Sequence, residues 1–317
     1  IQEDVRIPGL ALSVVDEQHR FGVRQRGRSA AAEDTGQAHV LVMSATPIPR
    51  SLSLTLYGDL ELSIIDELPA GRQPIRTDIA REKEEGYVWD AVRNELAAGR
   101  QAYVIYPVIE ETEGQDLKAA TVEFERLRDE VFGEHSVALL HGKLKPREKD
   151  AVFADFAAGK IDILVATTVV EVGVDVANAT AMVIHNPERF GLAQLHQLRG
   201  RIGRGEHASR CWLLVDRFLA EESYARIRFF AEHTDGFALA EEDLKLRGPG
   251  DAWGVRQSGA PGFRLANPLK DAETVALCRE DARRLLEEDP GLRSPQGRQV
   301  LKGLTLLFGN FMPPQAG

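Results

Sequence analysis

Short, almost uninterrupted apolar runs alternate along this chain with stretches whose apolar residues recur at helical spacing. LALSVVD at Leu10–Asp16 and HVLVM at His39–Met43 are too uniformly apolar for a sheet with one wet face. They predict strands buried on both sides of a parallel sheet. Residues 24–37 are polar and rich in Ala and Gly, hence a loop. Pro47–Tyr57 opens on two prolines and continues with helical spacing, and Asp59–Glu67 reads as a further strand. From Gly71 a fresh series begins. Strands are predicted at Ile75–Ala80, Gln101–Tyr106, Ser136–Leu140, Ile161–Ala166, Ala181–His185 and Cys211–Val215, with amphipathic helices at Lys83–Ala98, Asp116–Val131, Pro146–Ala158 and Leu192–Arg199. Strands alternating with helices imply a parallel sheet covered on both faces. After Asp216 the pattern changes to a helix at Phe218–Glu232, a Gly-rich stretch from Gly236 to Gly262, and helices at Asp271–Glu288 and Gln296–Leu307. Three parts follow: 1–70, the trailing half of an α/β unit; 71–216, a complete one; and 217–317, mainly helical.

Composition narrows the classes. The 317 residues suffice for two domains of about 150 each. Thirty-nine Lys and Arg against 49 Asp and Glu leave a net charge of −10. That argues against a generally basic nucleic-acid binder, though a local basic groove on an acidic body remains open. Cys211 and Cys278 form no CxxC pair, which argues against a zinc site or a disulfide framework. Two buried thiols in a reducing cytoplasm are expected instead. No apolar run approaches the roughly 18 residues of a membrane span. The chain begins at Ile1 with little ahead of its first strand, so a truncated start is expected.

Four strings carry candidate chemistry. Asp16-Glu17-Gln18-His19 directly follows a strand, at the end where open α/β sheets bind ligands. There Asp16 can hold Mg²⁺ and Glu17 can deprotonate an attacking water. Ser44-Ala45-Thr46 follows the next strand and can relay the state of that acidic loop, although Ser-x-Thr before Pro47 is also a plain helix start. Thr167 and Thr168, after the strand ending at Ala166, can meet backbone phosphates. Beyond them Gly173 allows close approach and Asp175 can accept from a ribose hydroxyl; alone this could be an ordinary loop. In Gln194-Leu-His-Gln197-Leu-Arg199-Gly200-Arg201-Ile-Gly203-Arg204, polar and cationic side chains converge on one helix and its last turn, and a permanently charged, forked guanidinium suits a triphosphate. His39, His135, His207 and His233 show no ligand spacing. Trp89, Trp212 and Trp253 read as packing residues, with Trp253 alone a candidate for stacking on a base.

In this order the four strings resemble the late motifs of superfamily-2 helicases, over about residues 10–215. The resemblance implies an α/β fold of RecA-like parallel sheets, one partial and one complete, sandwiching ATP. It implies ATP and Mg²⁺ as cofactors, with Asp16, Glu17, Gln18, His19, Arg201 and Arg204 as the catalytic set. Gly173, Asp175, Gln197, Arg201 and Arg204 would bind ATP, Ser44, Ala45 and Thr46 would couple, and His141, Thr167 and Thr168 would touch DNA.

A narrower likeness follows. Gly236-Phe237-x-x-Ala240-Glu241-x-Asp243-Leu244-x-x-Arg247-Gly248-Pro249-Gly250-Asp251, then Gly254-x-x-Gln257-Ser258-Gly259, resembles the translocation motif shared by the RecG family and transcription-repair coupling factors. There a helical hairpin and loop couple ATP turnover to movement on duplex DNA, which marks Arg247, Gln257 and Ser258 as translocation residues. Arg247-Gly248-Pro249-Gly250, Asp16 to Gly22, His141-Gly142-Lys143 and Asn186-Pro187-Glu188-Arg189 are similar to RecG. The expected activity is an ATP-dependent translocase, monomeric and cytoplasmic, that remodels branched double-stranded DNA at stalled forks and Holliday junctions. A transcription-repair coupling translocase and a non-catalytic DNA-binding or regulatory module are the alternatives. The sequence contains no GxxxxGK[ST] loop to cradle phosphates and no counterpart of the RecG wedge domain, so the chain alone is expected to be inactive.

Overall fold

The computed structural model describes residues 9–16, 39–44, 63–65, 67, 73–107, 113–167, 176–247 and 271–308. The chain divides into two compact units. One comprises Ile1–Ser44, Ile48–Ile65 and Leu244–Gly317, the other Ala45–Pro47 and Asp66–Asp243.

The larger unit is built on a six-stranded, all-parallel sheet. Its strands are β3 (Ile75–Arg81), β4 (Gln101–Ile105), β5 (Val137–Leu140), β6 (Ile163–Ala166), β7 (Ala179–His185) and β8 (Ser209–Val215), in the spatial order β3-β8-β7-β4-β6-β5. Each strand predicted between residues 75 and 215 is present. The central strands β4 and β6 are buried at every position, which is why their sequences do not alternate. Successive side chains feed two cores. Tyr103, Ile105, Leu164, Met182 and Leu213 pack on one face, with α3 (Pro146–Ala157), α4 (Leu192–Arg199), α5 (Glu221–Glu232) and α6 (Gly236–Arg247). Ala102, Val104, Val165, Val183 and Trp212 face the other way, onto α1 (Glu85–Ala97) and the helix α2 (Glu113–Arg126), which continues as a wider turn to Val131. Fully burying each large aliphatic side chain here contributes roughly 2 kcal/mol.

At the amino ends of the strands, the buried Gln101 donates to the carbonyls of Phe156 (2.6 Å) and Ile161 (2.7 Å) and accepts from Asn178 (3.3 Å). One neutral amide therefore satisfies acceptors that burial would otherwise orphan.

One expectation needs correction. The sequence reads Gly236–Gly262 as a Gly-rich stretch, but its first twelve residues form α6. Its apolar side chains explain the difference: Leu239, Ala240 and Leu244 are buried.

In the other unit, β1 (Leu12–Val15) and β2 (His39–Val42) form a parallel pair in the register Val15↔Val42. Of the strand expected at Asp59–Glu67, residues 63–65 and 67 are described and carry no strand. The helix expected at Pro47–Tyr57 lies outside the described residues. Two amphipathic helices, α7 (Ala272–Glu288) and α8 (Pro295–Phe308), are joined by a tight turn, and Cys278 on α7 is exposed, against the expectation of two buried thiols that Cys211 meets. There Asp289 accepts from the backbone N–H groups of Arg293 and Ser294, both at 2.8 Å, and these donors hold its carboxyl pKa below the usual range.

Candidate functional site

All six strands of the large sheet point their carboxyl ends to one edge, the edge at which open parallel sheets place their ligands. The residue after β5 is His141 and the residue after β6 is Thr167. The Thr167 N–H donates to the Leu140 carbonyl at 3.1 Å, which extends the β5–β6 pairing and sets Thr167 one residue from His141. Thr167 is buried, whereas His141 is half-buried with an Nδ1 that has no hydrogen-bond partner among the described residues. Burial, then the charges of Lys149 and Lys143, lowers the His141 pKa. An imidazole whose charged form is disfavoured thus stands beside the exposed Lys143 and the half-buried Lys149.

The arginine-bearing string lies on α4 and the turn after it. Leu192, Leu195 and Leu198 are wholly buried, which leaves Gln194 exposed and Gln197 half-buried. Beyond the helix the Arg201 N–H donates to the Leu198 carbonyl (2.9 Å), and the side chain of Ile202 is buried. Gly203 has φ +71°, and a Cβ there would come within 2.8 Å of Ile75; a Cβ on Gly205 would stand 2.5 Å from the Ala177 carbonyl oxygen. Only glycine fits either position. The turn is therefore held from beneath, with Arg201 half-buried and Arg204 exposed. Arg204 Nε donates to the Gly200 carbonyl at 2.9 Å, which ties one edge of its guanidinium to the turn. Two permanent, forked cations on a fixed backbone can clamp an oxyanion-rich group.

A cavity of about 150 Å³ opens at the ends of β7 and β8, lined by Glu82, Glu85, His185, Asn186 and Asp216 among others. Its three carboxylates would repel a phosphate. His185 is half-buried by area, yet its Nε2 is shut off from solvent and has no partner among the described residues. The ring stacks 4.2 Å from Tyr106 and 5.9 Å from Trp89. Burial, then Arg126, pushes its pKa down to about 3.

In the smaller unit, Asp16 directly follows β1 and Ser44 lies two residues beyond β2. The Met43 N–H donates to the Val15 carbonyl at 2.7 Å, so both leave the same edge of the pair. Mg²⁺ is commonly held by one or two carboxylates together with phosphate oxygens and water. Asp16, a carboxylate at the carboxyl end of a parallel strand, fits that donor set. Among the described residues no group of three His, Cys, Asp or Glu could hold a metal.

Glu17, Gln18, His19, Ala45, Thr46, Thr168, Gly173, Asp175, Gln257 and Ser258 lie outside the described residues, and of Arg247 only its place at the end of α6 is described. Sequence reasoning missed Arg199, Arg226 and Asp243. Arg226 donates to the Glu188 carbonyl, Asp243 accepts from the Leu192 N–H, and Arg199 is buried against α5. Arg199 and Asp243 stood within the quoted strings, but their partners lie 31 to 51 residues away and leave no local trace.

Comparison with known proteins bears on the whole chain. The helicase conserved C-terminal domain family matches residues 88–206, and the family described as ATP-dependent DNA helicase RecG, domain 3, C-terminal, matches residues 233–307. The chain is 51% identical over 294 residues to the ATP-dependent DNA helicase RecG of Synechocystis, covering 93% of this chain and 35% of that protein. It is 48% identical over 302 residues to that of Thermotoga maritima, covering 95% and 38%. A solved structure of RecG bound to a three-way DNA junction matches with a TM-score of 0.67 at 46% identity, over 86% of this chain and 34% of that one. Among the described residues, no helix is long and apolar enough to cross a membrane. With its six-stranded sheet, its fixed arginine turn and these identities over nearly its full length, the chain belongs to the RecG family of superfamily-2 helicases, of whose relatives it spans little more than a third.

Proposed function

We propose that this chain supplies the arginine turn and translocation segment of an ATP-driven motor that remodels branched double-stranded DNA, such as stalled forks and Holliday junctions. The observation that carries the reading is the turn at Gly200–Gly205, held by two glycines that admit no side chain, presenting Arg201 and Arg204 in a chain about half identical to RecG helicases. Arg201 and Arg204 meet the γ-phosphate, with Arg204 as the finger that stabilises charge in phosphoryl transfer. Gln197, Gly173 and Asp175 bind the nucleotide. Asp16 holds Mg²⁺, Glu17 is the base for the attacking water, and Gln18 and His19 complete that loop. Bound Mg²⁺ supplies charge neutralisation at the phosphates. Ser44, Ala45 and Thr46 couple the acidic loop to DNA contacts at His141, Thr167 and Thr168, while Arg247, Gln257 and Ser258 act in translocation.

The domains in this reading are 1–70, 71–216 and 217–317, and the protein works as a cytoplasmic monomer. The match of the RecG domain 3 family favours this reading over a transcription-repair coupling translocase. The test is ATP hydrolysis by the full-length protein with and without a synthetic four-way junction. Junction-stimulated hydrolysis with unwinding is expected, and no hydrolysis from the 317-residue chain alone, because it has no phosphate loop. A full-length protein indifferent to the junction would overturn the proposal.

A further inference from the structure

The cavity at the ends of β7 and β8 has no part in ATP turnover as described above. It holds about 150 Å³, roughly the room that admits a benzene-sized group in a protein interior. The carboxylates of Glu82, Glu85 and Asp216 line it, with Leu214, Val215 and His185. Glu85 is already held by Arg126 at 2.7 Å. Glu82 and Asp216 have no cationic partner among the described residues, so their charge is left to attract one from outside. A cluster of surface carboxylates alone says little, since most are simply solvated. Two further features give this one a direction. His185 Nε2 is buried without a partner among the described residues, and the ring is uncharged at neutral pH because burial pushes its pKa down to about 3. With its proton on Nδ1, the ring offers Nε2 as an acceptor to a donor that enters the cavity. The second feature lies at the rim. Asp216 Oδ1 accepts from the Phe218 N–H at 2.9 Å, a turn that sets Phe218 two residues from the cavity wall with 87% of its surface exposed. One exposed ring is ordinary on a protein surface. Beside an acidic socket it completes a pattern, a hollow for a cation with an apolar knob next to it.

We propose that this socket and Phe218 form a docking site for a partner protein that presents an arginine or lysine side chain flanked by aliphatic ones. The cationic head enters the cavity against Glu82, Asp216 and His185, and the neighbouring aliphatic side chain covers Phe218. Such a site serves an interaction outside ATP turnover and stands whether or not the motor reading holds. Charge selects the occupant. The carboxylates repel DNA phosphates, and a second copy of this chain carries the same net charge of −10. A metal ion fits less well, because among the described residues no three His, Cys, Asp or Glu come together to hold one. Arginine suits the socket best, since its planar fork binds a carboxylate through two parallel N–H groups and leaves others for the ring nitrogen.

The experiment follows the fluorescence anisotropy of a rhodamine-labelled octapeptide of alternating arginine and leucine as the full-length protein is added at low salt. Binding is expected to weaken about threefold in Glu82→Gln and in Asp216→Asn, and about tenfold in the double variant. Phe218→Ala is expected to weaken it about tenfold, because the aliphatic contact loses its ring. An octapeptide of glutamine and leucine is expected to bind at least about tenfold less tightly than the arginine one. All three side chains are exposed, and urea midpoints matching wild type check that the variants fold. A wild type that binds the arginine peptide no better than the glutamine peptide, or an affinity unchanged in the double variant and in Phe218→Ala, would overturn the docking site. Spermidine that binds more tightly than the peptide would make the cavity a site for a free polyamine, and single-stranded DNA binding that falls about tenfold in Phe218→Ala would make the rim a nucleic-acid surface. Either result removes the protein partner.

Discussion

The two parallel sheets of this molecule are written in nearly the same residues and sit in opposite surroundings. β6, with the sequence ILVA, is buried at all four positions. β1 and β2, with LSVV and HVLV, leave Leu12 54%, Val14 52% and Leu41 49% exposed. The difference shows that an apolar parallel strand announces the need for cover on both faces without supplying it. In the six-stranded sheet helices packed on both faces answer that need, and the edge can carry a fixed arginine turn. In this chain, which spans little more than a third of its relatives, the β1–β2 pair carries Asp16 and Ser44 with Leu12, Val14 and Leu41 about half exposed.

The largest test of this contrast lies in catalysis. Arg204→Lys in the full-length protein is expected to lower ATP turnover by about 10³, because lysine keeps the charge but not the planar fork. Glu17→Gln, at the position after Asp16, is expected to lose about 10² as a missing general base. Steady-state hydrolysis at saturating ATP measures both, and near-normal turnover in Arg204→Lys would move the chemistry away from the well-buried sheet.

Stability sharpens the comparison next. Leu164→Ala, at a position with no exposed surface, is expected to cost about 3 kcal/mol by deleting packed atoms and leaving a cavity. Leu41→Ala is expected to cost less than about 1 kcal/mol. Urea unfolding of the 317-residue chain checks the pair, and equal losses would erase the distinction.

The smallest effect is on pH dependence. His185 has its folded pKa depressed to about 3, so the unfolded chain binds the proton more readily. Its contribution is therefore complete above the unfolded value near 6.5 and is lost as pH falls through the interval from there towards 3. Between pH 7 and pH 5 this amounts to about 2 kcal/mol. Urea midpoints of wild type and His185→Phe across that range are expected to converge as acid is added. Parallel curves would mean that His185 is not the group titrating.

Much of this was legible beforehand because it depends on local pattern. Six strands and the helices between them follow from run length and period alone. The arginine turn was readable as a string, though not the reason for its glycines, since Ile75 and Ala177 approach from more than 25 residues away. The helix at Gly236–Arg247 was hidden by the glycines at and beyond its ends. Arg199 and Asp243 had no readable role, because a helix cap drawn from another element is a property of the packed state.

The two glycines beneath the arginine turn separate two kinds of tolerance to change. A side chain at Gly203 or Gly205 collides with Ile75 or with the Ala177 backbone, so substitution there depletes the amount of folded protein in a cell. Under the proposed role, substitution at the exposed Arg204 is expected to lower activity with little effect on abundance. Within six consecutive residues, then, a library scored for both abundance and activity would separate the support of the site from its chemistry.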